Sequence, residues 1–237
     1  MSLNEKLDEL KKIVVDDIGD DLISLYAVGS ILNPQDMTSR SDIDLWGIVK
    51  DDFDFKKEDE LLEHLRQTYN KKYNIEGRFR AITHSELYGG SQKGLMTKYT
   101  PITLLFRNLL HGHLIYGQEL DLSKSPVKIM DPEEEAKFQI ESLEQILFFR
   151  KIWYFRKLLK LTNYLAKVEG KKKHGYEWEP GYEKILDVFS YDKTHIIHLA
   201  EGLRKKENIT EIDMENFTKR LEDYIEKMKD YFYLQPK

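Results

Sequence analysis

Apolar residues recur along the first eighteen positions at Leu3, Leu7, Leu10, Val14 and Ile18, the spacing of one helix face. Gly19 and the pair Asp20-Asp21 end that pattern. The period then changes. Leu22–Val28 reads as a strand, broken at Gly29-Ser30, and Asp42–Val49 as a second strand in which polar and apolar positions alternate at its head. Between them lies a polar loop, Ile31–Ser41, with Asn33-Pro34 as a turn signal. Lys57–Tyr69 returns to helical spacing through Leu61, Leu62 and Leu65, and Ile75–Thr83 reads as a third strand. Residues 84–100 are loop-rich, Pro101–His111 predicts a short helix, and His113–Gly117 a short strand.

Beyond residue 130 the pattern is helical throughout. Asp131-Pro132-Glu133 combines an N-cap, a proline at the first helical position and acid in the first turn. The apolar period that follows runs to Val168, with Gly170 and Lys171–Lys173 expected to stop it. Tyr182–Phe189, Thr194–Arg204 and Asp213–Tyr231 are three further helical segments. The fold class expected is α+β, with a small mixed sheet and flanking helices over residues 1–125 and an all-α domain over 126–237.

Composition narrows the function classes. With 41% apolar and 33% charged residues, the 237-residue chain is a folded protein rather than a disordered one. The net charge of −5 argues against a general nucleic-acid binder. The absence of cysteine excludes disulfides, zinc-thiolate sites and thiol nucleophiles. No apolar run approaches the ~18 residues of a membrane span, and nothing reads as a signal peptide, so a cytoplasmic protein is expected.

The chemistry concentrates in residues 25–45. A strand has a side-chain period of two, so Asp42 and Asp44 share a face while Ile43 and Leu45 point into a core. Two carboxylates on one face repel, and a hard divalent cation with oxygen ligands, Mg²⁺ first, is the natural group to sit between them. Gly29-Ser30, at the end of the preceding strand, offers a turn whose backbone can approach a phosphate and a short hydroxyl beside it.

Val28-Gly29-Ser30, eleven residues, then Asp42-Ile43-Asp44-Leu45, resembles the motif of the nucleotidyltransferase superfamily that includes DNA polymerase beta and the aminoglycoside adenylyltransferases. The resemblance spans most of residues 20–120 in pattern. It implies that Asp42 and Asp44 are catalytic metal ligands for two Mg²⁺ ions, and that Gly29 and Ser30 cradle the triphosphate of ATP. Ser41 either touches phosphate or caps the loop. It also implies a third carboxylate on a neighbouring strand. Glu76 is the candidate, acting as general base as in the aminoglycoside adenylyltransferases, although Gly77 stands where an apolar residue is common. Arg78 and Arg80 fall on the same face as Glu76, where they either favour its charged form or contact phosphates.

The expected activity is transfer of AMP from ATP to a hydroxyl of a small molecule. Two other readings stay open: attachment of AMP to a partner protein, as in antitoxin-type minimal nucleotidyltransferases, and a nucleotide-binding protein with a degenerate site. Three further features read as structural. Arg107 and His113 match the spacing of HEPN-type ribonucleases but precede the helical domain. His195 and His198 lie three apart without a carboxylate spaced to complete a metal site. Lys171–Lys173 is a solvated helix end, or else a group reaching toward nucleotide phosphates.

Overall fold

A computed structural model describes residues 2–32, 41–90, 92–94, 100–149, 155–179 and 181–233. The expected Asn33-Pro34 turn lies outside them. The chain forms two compact units that divide between Ile129 and Met130. The fold is α+β, as the alternation of patterns indicates.

In the first unit, helix α1 (Leu3–Ile18) opens with a capping box between Ser2 and Glu5 and closes at Gly19. The sheet has four strands: β1 (Leu22–Val28), β2 (Ile43–Val49), β3 (Gly77–Thr83) and β4 (His113–Gly117). Their spatial order is β3-β2-β1-β4. β1 runs antiparallel to both β2 and β4, while β3 runs parallel to β2. The parallel pair needs a crossover, supplied by α2 (Lys56–Gln67) and α3 (Tyr69–Tyr73). The single helix expected over 57–69 is thus two. They part at Thr68, whose hydroxyl bonds back to the His64 carbonyl at 2.7 Å.

Both faces of the sheet are covered. Ile43 and Leu45 pack with Leu10, Val14, Leu61 and Leu65 from α1 and α2. Trp46 and Ile48, the alternate positions, pack with Leu105, Phe106 and Leu109 of α4 (Ile102–Leu110). Strand β3 lies at a sheet edge, and side chains bond to its backbone. The buried carboxylate of Glu58, from α2, accepts the Ala81 N–H at 3.0 Å and an Arg80 N–H at 3.0 Å. Buried Glu86 accepts the Thr83 N–H at 2.7 Å and the Lys93 N–H at 2.7 Å, which ties the glycine-rich segment after Tyr88 back to the strand. Arg107 is buried within α4, and His113 begins β4 opposite Ala27, so this pair is part of the scaffold.

The second unit is helical: α5 (Pro132–Phe149), α6 (Phe155–His174), α7 (Glu183–Val188), α8 (Ile196–Lys205) and α9 (Glu211–Tyr233). Asp131 caps α5 as expected, accepting the Glu133 N–H at 2.8 Å. Helix α6 runs past Gly170, which was expected to stop it. A methyl group there would lie 2.8 Å from Ile185 Cδ1, so Gly170 is a close-packing position inside the helix. The helix ends instead at Gly175, whose φ of 65° is left-handed.

One buried carboxylate of this unit, Glu169, is supplied with three donors. Glu169 accepts from Tyr224 Oη at 2.7 Å, Lys173 Nζ at 2.7 Å and the His195 ring at 3.0 Å. Burial pushes its carboxyl up, yet these three donors together hold it below the usual carboxylate range. His195 has the carboxylate partner that its spacing did not reveal, and its ring stacks on Phe189 at 3.9 Å. His198 turns elsewhere, to the Phe189 carbonyl at 2.9 Å, so the two histidines do not converge. Lys172 pairs with Glu133 at 3.0 Å and Lys173 with Glu169, which makes both part of this unit's own packing.

Candidate active site

Three strand ends meet at one end of the sheet. The register sets Val28, the last residue of β1, opposite Asp44 near the start of β2. The parallel register sets Ile43 beside Gly77 and Asp44 beside Arg78. One residue further out, the Ile43 N–H bonds to the Glu76 carbonyl at 2.9 Å. Gly29-Ser30, Asp42, Asp44 and Glu76 are therefore brought to a single edge, although nearly fifty positions separate the first from the last.

Each is placed by a local cause. Gly29 has a left-handed φ of 79° and opens a short 3₁₀ turn, Gly29–Leu32, that lifts the chain off β1. A methyl group at Gly29 would lie 3.6 Å from Asp44 Oδ2, so the turn backs directly onto that carboxylate. Ser30, half-buried, is the second residue of the turn. Asp42 and Asp44 alternate with fully buried Ile43 and Leu45, which anchor the strand from the opposite face. Ser41 stands immediately before the pair.

The departure at Gly77 has a packing reason. A methyl group there would meet Leu10 Cδ1 at 2.8 Å and Tyr69 Cδ1 at 3.0 Å. The Gly77 N–H is held by Asn70 Oδ1 at 2.8 Å, and Asn74 turns the chain through a left-handed φ of 51° just before the strand. Glycine at 77 lets the head of β3 seat against α1 and α3. Packing against Leu10 and Tyr69 accounts for the glycine.

Arg78 joins the carboxylates. Its Nη2 bonds Glu76 Oε2 at 2.6 Å, and its Nη1 pairs with Asp42 Oδ2. The Glu76 bond, then the charges of Asp42 and Asp44, raise the guanidinium above its ordinary range. In return, Arg78 holds the Glu76 carboxyl below the usual carboxylate range. Arg80, expected on the same face, is turned aside by the buried carboxylate of Glu58. Glu58 carried no sequence signal for this role, because its partners lie more than twenty positions away.

Asp42, immediately before β2, and Asp44, its second residue, offer hard oxygen donors from alternate positions. That set fits Mg²⁺, which is commonly held by one or two carboxylates with the rest of its shell from phosphates and water. Among the described residues, no three His, Cys, Asp or Glu side chains group closely enough to hold an ion by themselves. Asp42 and Glu76 are spanned by arginine.

No family model matches the sequence, and no curated protein matches it. Solved structures do. A spectinomycin adenyltransferase, AAD(9), from Enterococcus faecialis, solved with ATP and spectinomycin, is 17% identical. The match covers 93% of this chain and 100% of that one, with a TM-score of 0.64. The chain shares the fold of that adenyltransferase. A toxin-antitoxin structure with AMP-PNP is 19% identical over 52% of this chain and 79% of that one, with a TM-score of 0.33. Among the described residues, no helix is long and apolar enough to cross a membrane.

Proposed function

We propose that the protein is a Mg²⁺-dependent nucleotidyltransferase that moves AMP from ATP to a hydroxyl of a small molecule. The observation that carries this reading is the meeting of the Gly29 turn with Asp42, Asp44 and Glu76 at adjoining strand ends. The likeness in fold to an adenyltransferase solved with ATP and spectinomycin supports it, and makes an aminocyclitol or aminoglycoside the first acceptor class to try.

The roles follow from the chemistry of transfer. The acceptor oxygen forms a bond to the α-phosphorus, the bond from that phosphorus to the β-phosphate bridging oxygen breaks, and pyrophosphate leaves. Asp42 and Asp44 would hold Mg²⁺, two ions with nucleotide bound. Bound there, the metal lowers the pKa of the attacking hydroxyl and neutralises charge on the triphosphate and pyrophosphate. Gly29 lets backbone N–H groups approach the phosphates, and Ser30 adds its hydroxyl. Ser41, next to Asp42, would offer a further hydroxyl to phosphate. Glu76, held ionised by Arg78, is able to accept the proton of the acceptor hydroxyl.

Incubation with α-labelled ATP, Mg²⁺ and an aminoglycoside and aminocyclitol panel tests the reading. Label should appear in a small acceptor and depend on Mg²⁺. Label entering a macromolecule would favour protein modification instead. Absence of both transfer and Mg²⁺-ATP binding by calorimetry would sink the enzymatic assignment.

A further inference from the structure

Arg78 enters the transfer steps above only as the group that holds Glu76 ionised, yet it also reaches Asp42. Its guanidinium spans Asp42 and Glu76, and its backbone lies beside Asp44 in the parallel register. A guanidinium is planar, permanently charged and forked, so it can hold two carboxylates at once. Both carboxylates belong to the site itself. Arg80, two residues on, pairs instead with Glu58, whose side chain is 4% exposed, and so belongs to the scaffold. The Arg78 side chain is 40% exposed and the Asp42 side chain 27%, so their contact is open to exchange with solutes.

Asp42 and Glu76 both reach this guanidinium, and Asp44 lies beside it in the register. A divalent ion that takes Asp42 must compete with Arg78 for the same oxygens. We propose that Arg78 is a built-in counter-cation. It pairs Asp42 and Glu76 in the nucleotide-free protein, yields Asp42 to the metal, and turns to the phosphates of the incoming nucleotide. The inference rests on the reading of Asp42 and Asp44 as metal ligands. Its consequence is thermodynamic coupling. Metal alone has to displace the guanidinium with nothing for it to bond, whereas metal with nucleotide supplies the anion that receives it. Mg²⁺ and nucleotide should therefore bind each other's complex far better than either binds the free protein.

Titration calorimetry of Mn²⁺ into the full chain, with and without a non-hydrolysable ATP analogue, tests this on wild type, Arg78→Lys and Arg78→Gln. In wild type the analogue should tighten Mn²⁺ binding by about tenfold or more. Arg78→Gln should bind Mn²⁺ alone roughly tenfold more tightly than wild type and lose most of the coupling. Arg78→Lys, whose ammonium can hold only one carboxylate at a time, should fall between them. Equal Mn²⁺ affinities across the folded proteins would overturn the counter-cation role while leaving the metal site standing. If circular dichroism shows Arg78→Gln to be unfolded, Arg78→Lys decides, and equality with wild type overturns the proposal. If neither wild type nor the variants bind Mn²⁺ or the analogue, the metal reading itself fails and the inference with it.

Discussion

Two carboxylate clusters, one in each unit, treat charge in opposite ways. In the helical unit, Glu169 is buried and its oxygens receive three donors, from Lys173, His195 and Tyr224. At the strand ends of the first unit, Asp42, Asp44 and Glu76 stand at one end of the sheet, partly open to solvent, with the Arg78 guanidinium spanning two of them. A buried charge supplied with donors is architecture: it fixes how helices α6, α8 and α9 meet. Like charges gathered at an open edge are not explained by stability, because each would be better solvated alone. The second arrangement calls for a ligand, and the first does not.

Substitutions can pull that contrast apart. The largest effect should come from Asp42→Asn and Asp44→Asn. Transfer from labelled ATP should drop about 10³-fold or more, while the unfolding temperature stays close to wild type. Full turnover in either variant would remove that aspartate from the metal assignment. Glu169→Ala should behave the other way. Leaving His195, Lys173 and Tyr224 without their acceptor should cost about 3 kcal/mol, read from urea unfolding. A cost near zero would mean that the cluster is not the joint it resembles.

Gly77→Ala should fall between the two classes. Its methyl group would press on Leu10 and Tyr69, costing about 2 kcal/mol, and by shifting the head of β3 it should lower turnover as well. Stability loss without any change in kcat, measured on the folded fraction, would separate Glu76 from the chemistry.

The smallest effect concerns Asp213, which accepts the Thr210 N–H at 2.9 Å and pairs with Lys206 at 2.6 Å at the start of α9. The Lys206 bond and then the Thr210 bonds lower its carboxyl to about 2. A depressed folded value means that the carboxylate adds stability above its ordinary pKa and loses it as pH falls toward about 2. Asp213→Asn should remove that part of the acid dependence, seen by comparing denaturant midpoints between pH 5 and pH 2. Identical acid profiles would show the contact to be silent.

What could be read from the chain follows from the range of each cause. The boundaries of α1, β1 and β4 were legible because periodicity and glycine breaks are local. The shared face of Asp42 and Asp44 was legible because it follows from the pitch of one strand. The meaning of Gly77 was not, because Leu10 and Tyr69, which make glycine necessary, come from distant elements. Gly170 misled for the same reason, since its requirement comes from Ile185. Arg78 and Arg80 were indistinguishable in sequence, and Glu58 separates them only after α2 docks. The Glu169 joint draws on partners 26 and 55 positions away, beyond any spacing rule.

The Glu58 contact has a consequence for folding. Strand β3 is parallel to its neighbour and lies at a sheet edge, the kind of strand that invites pairing with another chain. Glu58 occupies the Ala81 N–H from a helix that precedes β3 in the chain. Until α2 docks, that edge is an open template for aggregation, and once α2 docks a carboxylate stands where a foreign strand would have to bond. The order of assembly, crossover helix before or with the strand it leads to, thereby becomes a safeguard written into the topology.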